Sequence, residues 1–543
     1  MRAAGQLAFL LVVSPHAAAQ VVFTEVARES GIDFRHRDGG CGKRYFAEQV
    51  GGGVAFVDAD GDGRLDLYFL SGAALPGCEG PAAGDSRFYR NLGSGKFADA
   101  TREAGLGEPG YATGCAAGDH DGDGDVDLYV TCYGPNRLYR NDGGRFAEVG
   151  REAGVDDRGF GASATFLDHD RDGDLDLYVA NYVDVTAGKE KACTRGGLTV
   201  YCQPQEHPGQ PDVFYENLGG GKFRDATREA GVWFPRARGL GVAAGDFDDD
   251  GDLDLYVAND TNENLLFRNQ GGGKFAEVGL EAGVALGEDG VMENGMGTDW
   301  GDCDGDGRLD LVVTNFDAQP NRLYRNLGGG FFADVSFACG IGGPSYPYVG
   351  WAAIFADFDL DSRLDLFITN GHVFDNVAEF QEGSTHAQPN LLHLNAGEGR
   401  FRTVQVTGAG IEPRVSRGAA AGDYDDDGDV DLAVNNLNGA PFLLRNDTPR
   451  AGRRWLGLRL VGTRSNRSAI GARAVLRVGG SLQVREVKSG SGYLSQNDMR
   501  LLFGLGETGA IESLTIRWPS GAVEEAAGRA SAGDYTTLRE LKP

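Results

Sequence analysis

Seven copies of one nine-residue acidic loop run through this chain of 543 residues. The first reads Asp58-Ala59-Asp60-Gly61-Asp62-Gly63-Arg64-Leu65-Asp66, and the others begin at Asp119, Asp168, Asp246, Asp302, Asp357 and Asp423. All seven keep acids at positions 1, 3, 5 and 9, and six keep Gly at position 6. Two like charges about 4 Å apart repel by roughly 4 kcal/mol at an effective dielectric near 20. Four carboxylates in nine residues therefore call for a cation among them. Calcium suits such a set, since it takes six to eight flexible oxygen ligands.

The loop is not an EF-hand, which needs a bidentate Glu at position 12 and flanking helices. Position 12 of the first loop is Phe69, and the flanks, Gly52 to Val57 and Leu65 to Leu70, read as strands. The expected ligands are the side chains at positions 1, 3, 5 and 9 and the backbone carbonyl at position 7. They are Asp58, Asp60, Asp62 and Asp66 with the carbonyl of Arg64; Asp119, Asp121, Asp123 and Asp127 with that of Asp125; and Asp168, Asp170, Asp172 and Asp176 with that of Asp174. Next come Asp246, Asp248, Asp250 and Asp254 with the carbonyl of Asp252, and Asp302, Asp304, Asp306 and Asp310 with that of Arg308. Asp357, Asp359, Asp361 and Asp365 with Arg363, and Asp423, Asp425, Asp427 and Asp431 with Asp429, complete the series. Position 7 varies freely, as a main-chain ligand allows. Up to seven calcium ions are expected, in a structural role, since complete protein ligation leaves little place for an activated water.

A second element alternates with the first. It starts at Asn91, Asn141, Asn217, Asn269, Asn326 and Asn395, and each copy runs through glycines to a Phe. Asn-Gly-rich stretches between apolar runs are hairpin turns. Each repeat thus holds four antiparallel strands, the signature of a β-propeller blade. The first strand of a unit is built of small residues (Ala116-Ala117-Gly118, Ala243-Ala244-Gly245), which suits a crowded axis. Six repeats end in a strand like Phe97 to Gly105, and the seventh lacks one. Phe23 to Gly31 carries the same pattern, so the N-terminal strand is expected to complete the last blade. The expected architecture is all-β: a seven-bladed propeller over 20–447, then a small all-β domain over 448–543. Strands of that domain are read at Trp455 to Val461, Ala472 to Val478, Leu482 to Val487, Leu514 to Trp518 and Thr536 to Leu541.

Residues 1–19 read as a cleaved export signal, with Arg2, an apolar run Leu7 to Val13 and Ala17-Ala18-Ala19 before Gln20. No segment is apolar for long enough to span a bilayer. In an exported chain the eight cysteines imply disulfides. The pairs read from position are Cys193–Cys202, Cys115–Cys132, Cys41–Cys78 and, weakest, Cys303–Cys339. A net charge of −29 without a basic stripe excludes a nucleic-acid partner.

The repeats resemble FG-GAP/VCBS repeats, the blade type of integrin α-subunit propellers. The C-terminal part is similar to the ASPIC/UnbV domain through Ala469 to Arg473, Ser489 to Gln496, Phe503 to Gly506 and Trp518 to Gly521. The two together resemble the pattern of cartilage acidic protein relatives. What the resemblance implies is a secreted calcium-binding protein. Ser362 departs from the pattern at position 6, so the sixth site is expected to be weaker if that position needs a positive φ.

Chain geometry puts the acidic loops and Asn-Gly hairpins on one face of the ring. The insertions Ser71 to Ser86, Asn181 to Asp212 and Gly371 to Pro389 fall on the other, with His36, Tyr201, His207, His372 and His386. Loops on a rigid scaffold usually carry recognition. The expectation is a binding or adhesion module with a protein or glycan partner on this second face, contacted by Tyr201 and His207. Two other readings stay open: a polysaccharide lyase or hydrolase on a calcium propeller, and a biosynthetic accessory protein. No catalytic constellation is identified in the sequence.

Overall fold

A computed structural model of the protein describes residues 21–542 apart from 79–85, 108–109, 187–188, 190–191, 407 and 409. The expected export signal, 1–19, lies outside the described residues, as do parts of two insertions.

Each acidic loop joins the first and second strands of a four-stranded antiparallel sheet, and the described residues form seven such sheets. In the first blade the strands are Val54–Val57, Asp66–Phe69, Arg87–Gly93 and Lys96–Asp99, paired in sequence order. The first strands of successive blades contact one another around the axis, and that of the seventh, Ser416–Gly422, returns to Val54–Val57. The small residues there are required by space. A Cβ on Gly118 would lie 3.1 Å from the ring of Phe166 in the next blade, and one on Gly245 would lie 2.9 Å from Trp300. The fourth strand of the last blade comes from the opposite end of the chain. Phe23–Glu25 pairs antiparallel with Phe442–Asn446, Phe23 opposite Asn446.

The outer strands are shorter than their sequence pattern implies. Lys96–Asp99 stops before Thr101–Ala104, a single helical turn closed by Gly105 at φ +82°. Asp99 Oδ1 accepts the Thr101 N–H at 2.9 Å, and Thr101 Oγ1 accepts the Phe88 N–H, also at 2.9 Å. These local side-chain bonds turn the backbone out of the ladder.

The hairpin asparagines join the blades to one another. Asn91, Asn141, Asn217, Asn269, Asn326, Asn395 and Asn446 each donate from Nδ2 to the position-2 carbonyl of the preceding blade's acidic loop, at 2.7–2.9 Å. The series is cyclic, since the first blade's Asn91 reaches Tyr424 in the seventh. The same amide donates to the position-8 carbonyl of its own loop, as Asn217 does to Leu175 at 2.9 Å.

Of the four expected disulfides, Cys41–Cys78 and Cys193–Cys202 are present, with Cα atoms 5.4 and 5.1 Å apart. The other two pairings are corrected. A register irregularity sets Cys115 opposite Val130 and Cys132 opposite Ala112, so the two side chains do not meet across the strands. Both are buried thiols, pushed up to about 12 by desolvation. Cys303 instead donates to Asp310 Oδ2 at 3.0 Å, and Cys339 to the Ser336 carbonyl at 3.3 Å.

The C-terminal strands form two sheets. Arg454–Val461 lies between Leu501–Gly506 and Tyr535–Arg539, and Arg473–Val478 lies between Ser481–Glu486 and Ile511–Arg517, with Val523–Glu525 at the edge. Two of these strands, Leu501–Gly506 and Val523–Glu525, are absent from the sequence reading. Among the described residues no helix is long and apolar enough to cross a membrane.

The asparagine ring predicts a mutational cost. Replacing Asn141 with Ala strands the buried Ala59 carbonyl and the part-buried Val126 carbonyl, and at about 1–1.5 kcal/mol per hydrogen bond the loss is about 2–3 kcal/mol. A denaturant midpoint indistinguishable from the parent's contradicts this role.

Candidate functional site

The seven acidic loops share one backbone geometry. The position-1 carboxylate accepts the position-6 N–H through Oδ2 in every copy, from Gly63→Asp58 at 3.2 Å to Gly428→Asp423 at 2.7 Å. The position-5 carboxylate accepts the position-7 N–H, at 2.8–3.0 Å. Two residues per loop take left-handed backbone, at positions 4 and 6. Position 6 runs from φ +77° at Ser362 to +104° at Gly124. Position 4 is non-glycine in four copies, Arg171, Asp249, Leu360 and Asp426, all at φ +57° to +63°. This second left-handed position is missed by the sequence reading because no residue type marks it.

These turns aim the acids inward. Asp58, Asp60 and Asp62 bring one carboxylate oxygen each within 4.8 Å of one another, as do Asp119, Asp121 and Asp123, and Asp168, Asp170 and Asp172. Several of the oxygens have no partner. Oδ1 of Asp58, Asp168, Asp248, Asp359 and Asp425 is buried with no hydrogen-bond donor. A buried unpaired carboxylate oxygen is costly, and a divalent cation among these acids would satisfy it. The donor set, all oxygen and up to four carboxylates, fits calcium.

The position-9 acids play a further part. Each accepts two backbone N–H groups, one at position 2 of its own loop and one at the hairpin asparagine, as Asp127 does from His120 at 2.8 Å and Asn141 at 2.7 Å. In blades 2 and 3 a histidine at position 2 also meets this acid, His120 Nδ1 at 2.6 Å from Asp127 Oδ2 and His169 Nδ1 at 2.5 Å from Asp176 Oδ2. Position 9 thus anchors loop to hairpin, and in blades 2 and 3 it also lies with the position-2 His and the position-3 Asp in one group, His120, Asp121 and Asp127 and His169, Asp170 and Asp176.

Burial, reinforced by neighbouring acids, raises the loop carboxyls. Asp119 and Asp302 are pushed to about 6, Asp168 and Asp423 to about 7 and Asp357 to about 8.

The loop face is covered by the chain's own C-terminal sheets, which touch all seven loops. Arg459 lies 3.2 Å from Asp58 and Arg453 2.9 Å from Asp359. Ser468 Oγ accepts the Asp119 N–H at 3.0 Å, and the Arg464 carbonyl sits against Gly173. Arg517 pairs with Asp246 and Asp249, while Arg473 donates to the carbonyls of Asp246 and Gly307 at 3.1 and 2.7 Å. In the seventh blade Tyr535 donates its hydroxyl to Asp423 Oδ2 at 3.0 Å. The strained Ser362 is held from this side too, its Oγ donating to the Gly504 carbonyl at 3.0 Å.

One C-terminal segment goes further, into the ring axis. Gly492 exchanges backbone hydrogen bonds with Thr298 at 2.9 and 3.1 Å. The Leu494 carbonyl accepts from Cys115 at 3.1 Å, and the backbone of Gln496 bonds Val54 and Phe56 at 3.0 Å. Lys488 donates to Asp299 Oδ1 at 2.5 Å at the entrance. The Ser489 to Gln496 motif is therefore a plug that satisfies inner-strand groups facing the axis.

On the opposite face the insertions converge. Arg44 pairs with Asp375 at 2.9 Å and donates to the Thr199 carbonyl, which ties three chain segments together. Tyr201 is buried and donates to Glu48 Oε2 at 2.9 Å, and the His207 ring packs 4.8 Å from that of Phe46. His36 and His372 are also buried. Tyr201 braces this face from within and is not displayed to a partner, which corrects the role read from its position.

A family model described as an FG-GAP-like repeat matches 58–130, 119–179, 200–257, 246–313 and 302–368, more than half of the chain. The chain belongs to the FG-GAP-like repeat family. A second model, ASPIC and UnbV, matches residues 462–542 of this FG-GAP protein, the part that covers the loops and plugs the axis. Cartilage acidic protein 1 of Mus musculus is 30% identical over 313 residues, 55% of this chain and 44% of that protein. The Homo sapiens protein of the same name is 28% identical over 336 residues, 59% of this chain and 46% of that one. The chain thus spans about half the length of the curated relatives it matches. Among solved structures, the BP39L lectin from Burkholderia pseudomallei aligns with a TM-score of 0.43 and 10% identity, over 75% of this chain and 98% of that one.

The raised carboxyls set the sign of a pH effect. The folded chain without metal holds protons that the unfolded chain has released, so this stabilisation is complete below the ordinary carboxylate range and is lost as pH rises through about 6 to 8. In EDTA the melting temperature should fall between about pH 5 and pH 8. A rise over that interval would contradict the burial of these acids.

Proposed function

We propose that this chain is an exported binding module. Calcium among the acidic loops stabilises the ring, and a protein or glycan partner engages the insertion face. The division of labour between the two faces carries this reading. The loops lie between the blades and the C-terminal arginines, so an ion there ties structure together and is screened from a partner. The insertion face is built from three chain segments tied by Arg44 and by the two disulfides. Disulfides of this kind persist in oxidising compartments, which supports export.

Calcium would be held by the carboxylates of positions 1, 3, 5 and 9 and the position-7 carbonyl. At tenfold excess over its dissociation constant each ion stabilises the fold by about 1.4 kcal/mol. Seven ions give about 10 kcal/mol, comparable with the whole stability of a typical domain.

Stripping the protein with EDTA and titrating calcium by calorimetry and melting tests the metal. Uptake of several ions and a rise in melting temperature of roughly 10 °C are expected, with Asp119→Ala lowering the stoichiometry by one. No uptake and unaltered melting would sink it. A protein and glycan array probed with calcium and with chelator tests the module, a chelator-sensitive hit being the expected result.

A further inference from the structure

Between the axial plug and the insertions lies a cavity of about 160 Å³. Its floor is Tyr493, from the plug, against Trp351, with ring centroids 4.9 Å apart. Phe46 and Tyr182, 5.3 Å apart, and Phe374 form walls. Its rim includes Cys202, fixed by the bridge to Cys193.

One carboxylate in this lining, among the described residues, has no direct ion-pair partner. Asp260 is buried, with Oδ1 accepting from Asn294 Nδ2 at 2.8 Å and Oδ2 from the Tyr182 hydroxyl. Both donors are neutral. Among the described residues no Lys, Arg or His nitrogen lies within 4.0 Å of this carboxylate. Arg238 acts on it from beyond ion-pair distance, its guanidinium donating to Asn262 Oδ1 at 3.0 Å and the His207 carbonyl at 3.1 Å. Arg417, 4.0 Å from the Trp351 ring centroid, is bonded to the carbonyls of Gln49, Gly371, Ser416 and His372. Burial pushes the Asp260 carboxyl up to about 6, against the hydrogen bonds from Tyr182 and Asn294 and the charge of Arg238, which favour the ionised form.

A buried carboxylate without a direct ion-pair partner is costly. Aromatic faces attract cations, most strongly where water is excluded. A cavity of about 150 Å³ accommodates a benzene-sized body. We propose that this chamber binds an organic ammonium ion, such as a methylated amine, with the charge held by Asp260 and the apolar body against Phe46, Tyr182 and Trp351. A neutral ring of similar size leaves the carboxylate without a direct ion-pair partner. The proposal adds a small-ligand site on the insertion face and does not depend on which macromolecule that face engages.

The test uses the full calcium-loaded chain with choline and its neutral isostere 3,3-dimethyl-1-butanol, followed by calorimetry and tryptophan fluorescence. Choline should bind at least about tenfold more tightly than the isostere. Asp260→Asn should remove that preference while leaving isostere binding unchanged. If that variant fails to fold, the ratio in the parent chain still decides. Equal affinity for the two probes, no choline binding up to about 10 mM, or tighter binding of N-acetylglucosamine overturns the proposal. Calcium-dependent melting of the same samples reports on the binding-module reading separately.

Discussion

A single side-chain amide, repeated in every blade, holds the ring together. Each hairpin asparagine donates to its own acidic loop and to the loop of the preceding blade, and its backbone N–H is accepted by the position-9 carboxylate. Neighbouring sheets otherwise meet through apolar side chains, and hydrophobic contact is not directional. The amide bonds supply the direction. They fix the angle between successive blades, and because the seventh step returns to the first, an error at one joint would prevent closure. The acidic loop and the glycine-rich hairpin, separate as sequence patterns, are one mechanical unit.

That unit explains why the loops can concentrate so much charge. A carboxylate at position 9 is neutralised in part by two backbone dipoles, and those at positions 1 and 5 each accept at least one backbone N–H. What remains is a set of inward oxygens, several buried without a donor. The chain then lays arginines across the outside of the same loops, from Arg453 to Arg517. An acidic protein has thus placed a basic surface of its own against its most acidic face. The large negative charge counted along the chain overstates the field that a partner would meet there.

The C-terminal sheets also solve a problem set by the ring. Inner strands leave polar groups facing the axis, where unsatisfied backbone would be costly. The plug supplies partners for Thr298, Cys115, Val54 and Phe56 from one short, glycine-rich segment. Glycine is needed because the approach is close. A Cβ on Gly490 would lie 2.1 Å from the Ala164 carbonyl oxygen. The two parts of the chain are therefore not independent beads but a lock and its bolt.

Much of this was legible in the residues alone. Spacing of acids at 1, 3, 5 and 9, the recurring hairpins, small inner strands and the Phe23 to Gly31 pattern specify repeated four-stranded sheets, because they are periodic consequences of local chemistry. Position 6 needed a left-handed backbone, and glycine announced it. Position 4 needs the same, but Leu360 and Arg171 do not. The Asn at each hairpin was visible, yet its bond to the preceding blade was not, since the partner is a main-chain carbonyl that any residue can offer. Likewise nothing local shows that Cys115 faces Val130 and not Cys132, that Tyr201 points inward, or that Asp260 makes no direct ion pair. The sequence by itself determined the repeating unit and its acid-lined turns, through short-range spacing. Tertiary structure decided what covers those turns, what fills the axis and which polar groups are left without a partner, because those are matters of long-range packing between segments hundreds of residues apart.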